Sequence, residues 1–414
     1  MTPTRETKDE AGGDGAFGAV PDQPKGNGTM LEGRVVIDCS DRSGWLAGRI
    51  LADLGAEVIK VDAPSTDRLS PDWQAFNINK RAVDADLATD EGRARLDSLV
   101  AGADIVLACF RPGTPLAELF AYERLAALNP NAIIVAITPF GLGGPRAGWK
   151  ASDIELMAAS GCMSLAGEPD GPPLRVSVPQ SYPWAGAQAA AGALMALNHR
   201  NLTGKGELVE VSAQASVVLA LAHAPAFWDI LGKEATRAGA FMTGRSVTGA
   251  RYRVFWPCAD GYLNFIIYGG SAGRRTNEQL VGWMGEAGFD LGPLASINWA
   301  QFDPTLATQD EIDAIEAPIL AFFGTIAKRE FLTQAHRREM LGYPVSNVAD
   351  IAEDPQLDAR GYWQMATGPD GVERRHCGSF AVIDGVRPPL KSYPPAASFK
   401  ASHAHLESVG GKTK

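Results

Sequence analysis

The chain reads Arg34-Val35-Val36-Ile37-Asp38, then Gly44-Trp45-Leu46-Ala47-Gly48-Arg49-Ile50-Leu51-Ala52-Asp53-Leu54-Gly55, then Glu57-Val58-Ile59-Lys60-Val61-Asp62. The first segment is a short apolar run that ends in an acid, as buried parallel strands do, and the third is predicted to be a second strand. The second has apolar residues at helical spacing and stops at a glycine. A strand, a helix and a strand in this order predict a βαβ unit, and therefore a parallel sheet with right-handed crossovers.

The alternation of strands and helices continues along the first half of the chain. Further strands are predicted at 104–108, 132–137 and 208–212, and further helices at 91–101, 116–128, 153–164 and 185–200. The last of these helices is rich in Ala and Gly, which allows close approach of a neighbouring backbone. The fold class predicted for this part is α/β.

The alternation of strands and helices ends near residue 235. Residues 251–267 predict a hairpin around an Asp-Gly turn, and helical segments follow at 277–286 and 312–324. We expect a disordered tail at 1–30, a large α/β domain at 31–220 and a smaller α+β domain at 235–330. Residues 331–414 are expected to form a linker and a C-terminal return to the large domain.

The charge, hydropathy and cysteine content of the chain exclude several classes of binding partner. The 414 residues carry a net charge of -10, which argues against non-specific binding of nucleic acid. No charge-free apolar run reaches about 18 residues, so no membrane span is predicted. Five widely scattered cysteines without metal-ligand spacing fit reduced thiols in the cytoplasm.

A longer set of motifs resembles the family III CoA-transferases, the carnitine and formyl-CoA transferase family. Each motif is weak alone, and their order along one chain makes the resemblance specific. The motifs lie at residues 51–64, 77–81, 110–113, 140–145, 167–186, 200–206 and 353–361.

The resemblance implies a Rossmann-like large domain that binds coenzyme A at the C-terminal edge of its sheet, and an interlocked dimer. Coenzyme A is then a substrate, and no tightly bound cofactor is expected. The substrates would be an acyl-CoA and a carboxylic acid. Candidate CoA-binding residues are Lys80 and Arg81, which would flank a phosphate or the adenine, and Phe110 and Arg111 just after a strand end. Any single cation among them could equally be a solvated surface residue, and Cys109 stands where the family usually has Asn.

The family's chemistry requires a carboxylate, and this chain lacks it at the matching position. The family's aspartate attacks an acyl-CoA thioester, and only Asp or Glu can form the anhydride of that relay. The matching residue is Tyr182, whose phenol cannot form the anhydride. Glu168 and Asp170 are possible substitutes, whereas Asp153 is better explained as a helix cap.

Two other activities of similar folds lack their characteristic residues in this sequence. The α-methylacyl-CoA racemases need a His and an Asp as paired acid and base, and the matching positions are Ser152 and Tyr182. A dinucleotide site would use an acid such as Asp62, but no GxGxxG opens the first helix, so a solvated strand end is the better interpretation of Asp62.

Three hypotheses remain from the sequence. The chain is the aspartate-lacking subunit of a heteromeric CoA-transferase, as one subunit of the benzylsuccinate CoA-transferases is. Alternatively it is a self-sufficient enzyme that uses Glu168, Asp170 or another acid, or a CoA-binding protein without catalysis. The partner would be a homologous CoA-transferase subunit or a second copy of the chain.

Overall fold

The computed structural model describes residues 29–391 and residue 393. The predicted disordered tail lies almost wholly outside the described residues, as does the end of the predicted C-terminal return.

In the described part of the chain, six parallel strands form the main sheet. They are β1 (Val35–Cys39), β2 (Glu57–Asp62), β3 (Arg81–Asp84), β4 (Ile105–Cys109), β5 (Ile133–Thr138) and β6 (Leu208–Ser212). Their spatial order is β3-β2-β1-β4-β5-β6. The chain therefore adds β2 and β3 on one side of β1 and β4, β5 and β6 on the other, which makes the gap between β1 and β4 the topological switch point. In open parallel sheets, ligands bind beyond the carboxyl ends of the strands at such a switch point. The predicted α/β class with a Rossmann-like sheet is confirmed.

Helices cover both faces of this sheet. Their bounds are α1 (Trp45–Asp53), α2 (Pro71–Asn77), α3 (Asp90–Val100), α4 (Pro115–Leu119), α5 (Tyr122–Leu128), α6 (Asp153–Ala159), α7 (Ser181–Thr203), α8 (Ala213–Ala220) and α9 (His223–Leu231). The single helix predicted at 116–128 is wrong, because the backbone leaves helical geometry at Ala121, with φ -57° and ψ 135°.

Helix α7 packs closely on α1. A Cβ added at Gly186 would lie 2.9 Å from Leu46 Cβ and 3.1 Å from the backbone nitrogen of Ala47. Ala185 and Ala189 on the same helix are fully buried. The predicted close approach of this small-residue helix is confirmed, and it fixes the first turn of α7 beside the first turn of α1.

A second core lies in the middle of the chain. Its elements are β7 (Phe241–Met242), β8 (Tyr252–Arg253), β9 (Phe255–Cys258), β10 (Gly261–Asn264), α10 (Gly270–Glu286), α11 (Gln309–Phe323), α12 (Lys328–Arg338) and β11 (Tyr343–Pro344). Strands β9 and β10 pair antiparallel, as the predicted hairpin requires. Trp256, Phe322, Phe323 and Phe331 are fully buried together at its centre.

The C-terminal part of the described chain contacts helices α1 and α2. It contains α13 (Val348–Ala352), α14 (Pro355–Ala359), β12 (Trp363–Thr367) and β13 (Glu373–Cys377). Arg49 on α1 donates to the carbonyl of Cys377 at 2.6 Å. The ring of Tyr393 lies 5.4 Å from that of Trp73 on α2. The limits 31–220, 235–330 and 331–414 stay predictions.

Within the described residues, no single helix has both the length and the apolar character to cross a membrane. The consecutive helices α8 and α9 reach that length and composition only together, across a bend of 69°.

Candidate active site

A wide cleft opens at the carboxyl ends of the central strands. Its volume is about 1440 Å³. Ser40 follows β1 on its wall, Phe110 follows β4, and Thr138 ends β5. The first turns of α6 and α7, with Ser152 and Tyr182, line another part of the wall. Typical small-ligand pockets measure roughly 300–1,000 Å³, so this cleft has room for an extended ligand.

Four cationic residues line the cleft besides the buried Lys60, whose ammonium donates to backbone carbonyls; they are Arg42, Arg93, Arg111 and Lys150. The Arg111 guanidinium donates to the carbonyl of Gly148 at 2.7 Å, which fixes its position on the wall. Arg93 is held by two backbone carbonyls and by an aspartate at the start of α3. Because guanidinium groups bind phosphates through paired hydrogen bonds, the lining suits a ligand with several phosphates.

Sequence reasoning identified only Arg111 among these cations. Arg42 lies in the turn after β1, so the same strand-end rule that pointed to Arg111 could have found it. Arg93 lies on α3 and Lys150 in a loop, and neither position carries such a signal.

Phe110 also lies on the cleft, as the sequence predicts. Its ring stacks on Phe120 with centroids 6.2 Å apart and planes 15° from parallel. This packing holds an aromatic ring at the end of β4. Binding of coenzyme A by Phe110 and Arg111 stays a prediction.

Lys80 and Arg81 do not lie on the cleft, contrary to the expectation from sequence. The Lys80 side chain is fully buried, and its ammonium donates to Asp38 at 2.8 Å, to Asn77 at 2.7 Å and to the carbonyl of Trp45 at 2.8 Å. Arg81 begins β3, at the opposite end of the strand from the cleft, and pairs with Glu57 at 2.9 Å. These contacts assign both residues to the structure of the sheet.

Buried charges support the turn that forms one wall of the cleft. Asp38 accepts a hydrogen bond from the backbone nitrogen of Ser40 at 2.9 Å, and Lys60 donates to the carbonyl of Ser40 at 2.8 Å. Burial raises the pKa of Asp38, but the Lys80 and Lys60 charges more than offset this, so its pKa lies below the ordinary value. Asp38 is therefore held as an anion that fixes the start of the Ser40 turn.

Tyr182 lies in the first turn of α7, half-buried on the cleft wall. Its hydroxyl oxygen accepts a hydrogen bond from the backbone nitrogen of Asp153 at 2.9 Å. Burial raises the pKa of the phenol above its ordinary value of 10.0. A neutral phenol therefore lines the cleft at the position where the sequence resemblance predicts an aspartate in related proteins.

The carboxylate of Asp153 caps α7. It accepts hydrogen bonds from the backbone nitrogens of Gln180 and Ser181, each at 2.8 Å, and from the Ser181 hydroxyl at 2.8 Å. The capping role predicted for Asp153 is confirmed, although the capped helix is α7 and not α6. Helix α6 has its own capping box, in which Glu155 accepts from the backbone nitrogen and the hydroxyl of Ser152.

Glu168 and Asp170 are exposed, and neither lines the cleft. Arg237 donates to the carbonyls of Glu168 at 3.2 Å and Gly171 at 3.1 Å, which ties this turn to the segment before β7. A Cβ added at Gly239 would lie 2.2 Å from a carboxylate oxygen of Glu168. The structure therefore places the Glu168 carboxylate against that segment, and neither acid lies on the cleft wall with Tyr182.

The acids on the cleft wall already accept hydrogen bonds from their neighbours. Asp41 accepts from the backbone nitrogen and hydroxyl of Ser43. Glu155 accepts from Ser152, which lowers the pKa of Glu155. Asp86 accepts from a backbone nitrogen two residues along at 3.0 Å. Each of these carboxylates stabilises its own turn.

Asp62 is neither a ribose ligand nor the solvated strand end that the sequence suggested. It is buried, forms an ion pair with Lys60 at 3.1 Å, and accepts from Arg68 at 3.1 Å and from the indole nitrogen of Trp73 at 3.2 Å. Because three neighbouring side chains contact this carboxylate, its role is to stabilise the fold.

Cys109 lies on the cleft but is not an activated nucleophile. Burial raises the pKa of its thiol well above 9.0, and burial raises the pKa of Cys39 to about 12. Thiols rather than thiolates are present at neutral pH, and it is the thiolate that reacts. Among the described residues, no group of three or more His, Cys, Asp or Glu could hold a metal ion.

The comparisons with known proteins agree with this architecture. Residues 31–398 match the model of CoA-transferase family III. A subunit of succinyl-CoA:(R)-benzylsuccinate CoA-transferase, BbsE of Thauera aromatica, is 32% identical over 80% of this chain and 82% of its own. A succinate–glutarate CoA-transferase of Agrobacterium fabrum is 28% identical over 90% of this chain and 91% of its own.

The fold has been seen in crystals. A CaiB/BaiF family protein from Brucella suis superposes with a TM-score of 0.75 at 27% identity, covering 92% of this chain and all of that one. The parallel sheet with a cleft at its carboxyl edge defines an α/β protein of this fold. The chain belongs to CoA-transferase family III. Enzymes of this family are CoA-transferases, and CoA thioesters are their substrates.

Proposed function

We propose that this chain is the aspartate-lacking subunit of a heteromeric enzyme that moves coenzyme A from an acyl-CoA to a carboxylic acid. The observation that carries the proposal is Tyr182, a phenol at the helix start that faces the cleft. The similarity to BbsE, which is named as a subunit, supports it.

The cleft would bind the acyl-CoA. Its cations, Arg42, Arg93, Arg111 and Lys150, would hold the phosphates, and Phe110 offers an aromatic face for the nucleotide. The thioester end would then extend toward Ser152 and Tyr182. The proposal includes no tightly bound cofactor, because arginine side chains can bind phosphates directly.

The relay itself needs a carboxylate at the thioester. A carboxylate oxygen attacks the thioester carbon, the C–S bond breaks, and the thiolate leaves with the electron pair. The thiolate then attacks the enzyme's carbonyl in the anhydride and releases the first acid, and the second acid repeats the sequence in reverse. Tyr182 cannot take this part, and the carboxylates on the cleft wall are engaged in their own turns. We therefore assign the nucleophile to a homologous partner subunit.

An exposed apolar surface is available for that partner. On α9, Phe227 is 49% exposed, Trp228 64%, Ile230 77% and Leu231 55%. Contiguous exposed apolar side chains of this kind typically mark a protein–protein interface. The surface suits an interlocked pair, with the aspartate-carrying homologue as our proposed occupant and a second copy as the alternative. We place this assembly in the cytoplasm, in keeping with the scattered free cysteines.

The purified chain should show no CoA transfer from succinyl-CoA to a panel of carboxylic acids. Co-purified with a homologue that has Asp at the position of Tyr182, it should form an active complex with higher turnover than the homologue alone. The measurement is acyl-CoA product formed, followed by chromatography.

Turnover by the chain alone would overturn the proposal. Loss of that turnover in Glu168→Gln or Asp170→Asn would then establish a self-sufficient enzyme. Binding of coenzyme A without turnover in any complex would favour a non-catalytic CoA-binding protein.

A further inference from the structure

The hydroxyl of Tyr182 is positioned as a donor. Its oxygen already accepts the backbone N–H of Asp153 at 2.9 Å, so the orientation of the C–O bond is fixed. Within the described residues, its own hydrogen has no acceptor. The ring packs against the buried core of the sheet domain, which restrains the side chain further. A restrained phenol on a cleft wall with an unused O–H has the geometry of a ligand-binding group.

Neighbouring donors at this end of the cleft are already used. The Ser152 hydroxyl donates to Glu155. The N–H groups of Gln180 and Ser181 donate to Asp153, as does the Ser181 hydroxyl. A ligand oxygen that reaches the first turn of α7 therefore meets the Tyr182 hydroxyl as a neutral side-chain donor that is still available.

The protonated phenol of Tyr182 is suited to donate to a neutral acceptor such as a carbonyl oxygen. Burial keeps the pKa of Tyr182 above 10.0, so the O–H is present throughout the neutral range. A phenol donates well to a carbonyl oxygen and does not attack a thioester carbon without a base.

We propose that Tyr182 donates a hydrogen bond to the thioester carbonyl oxygen of the bound acyl-CoA and fixes the position of that oxygen in the cleft. The cleft of this subunit is then a site for acyl-CoA in preference to free coenzyme A. This inference rests on the proposed binding of acyl-CoA, and it adds a positive role for the residue that replaces the nucleophile.

Two probes separate the carbonyl from the rest of the ligand. Acetyl-CoA has the thioester oxygen, and S-ethyl-CoA, its thioether analogue, lacks it. Calorimetry should show that the wild-type chain prefers acetyl-CoA. Tyr182→Phe should weaken acetyl-CoA by roughly 2- to 13-fold, the value of one hydrogen bond, and leave S-ethyl-CoA unchanged. Arg111→Ala should weaken both probes equally, because it contacts the part they share.

A spectroscopic measurement distinguishes loss of this hydrogen bond from a general structural change caused by Tyr182→Phe. The thioester C=O stretch of labelled acetyl-CoA should shift to lower frequency on the wild type and return toward its solution value on Tyr182→Phe. An unchanged preference for acetyl-CoA, or an unchanged stretch, in Tyr182→Phe would overturn the role of the hydroxyl. Failure of the wild type to bind either probe would instead overturn the proposed binding of acyl-CoA, and the inference with it.

Discussion

A Tyr182→Asp variant is expected to gain a covalent adduct with coenzyme A that the wild-type chain cannot form. Removal of the ring opens the cleft beside Ser152 and places a carboxylate in the first turn of α7. An anion is favoured there by the dipole of a helix of 23 residues. That carboxylate would attack acyl-CoA, and the released thiolate would return to give an enzyme–CoA thioester.

The matched control for this variant is Tyr182→Asn, which has the same size and no nucleophilic oxygen. Intact-protein mass spectrometry after incubation with succinyl-CoA should show the adduct in the Asp variant only, a change from none to a measurable fraction of the chain. Hydroxylamine should remove it. If the Asp variant binds coenzyme A but stays unmodified, Tyr182 does not occupy the nucleophile's place.

Asp38→Asn is expected to destabilise the chain strongly. It would leave the Lys80 ammonium fully buried without the carboxylate that lies 2.8 Å away. Loss of one partner from a buried ion pair costs on the order of 3–5 kcal/mol. For a domain of about 200 residues this corresponds to a fall in Tm of roughly 6–20 °C. Thermal unfolding followed by circular dichroism measures it.

The control is Asp84→Asn, whose carboxylate pairs with Arg68 at 2.7 Å but is 56% exposed. An exposed pair contributes about 0–1 kcal/mol, so this variant should unfold almost as the wild type does. If the Tm of Asp38→Asn falls no further than that of Asp84→Asn, the buried ion pair of Asp38 and Lys80 does not stabilise the fold.

The pH dependence of the Asp38 contribution follows from its lowered pKa. A depressed carboxylate pKa stabilises the folded state above the ordinary value of 3.8, and this stability is lost as the pH falls through the folded pKa. The difference in Tm between wild type and Asp38→Asn should therefore be constant from pH 7 to about pH 5 and shrink below 3.8.

The sheet could be predicted from sequence because its signals are local. Strand β1 begins with the apolar run Val35-Val36-Ile37, and the helix after it ends at Asp53, two residues before Gly55, which has φ +105°. The break at Ala121 could not be predicted, since neither Gly nor Pro marks it.

The site was only partly predictable because burial depends on distant partners. Phe110 and Arg111 follow a strand directly, so chain order alone places them at the cleft. Lys80 also follows an apolar segment, but its partner Asp38 lies 42 residues earlier on another strand. No local pattern distinguishes such a buried pair from a phosphate ligand. The position of Glu168 was equally unpredictable, because its carbonyl accepts a hydrogen bond from Arg237, 69 residues later.

We propose that this chain binds acyl-CoA but lacks the carboxylate that would take coenzyme A from it. The most direct test is the intact mass of the wild-type chain after incubation with succinyl-CoA, at a concentration where calorimetry shows binding. We expect bound ligand and an unchanged protein mass. A hydroxylamine-sensitive mass increase equal to coenzyme A less one water, mapped to any Asp or Glu of this chain, would contradict it.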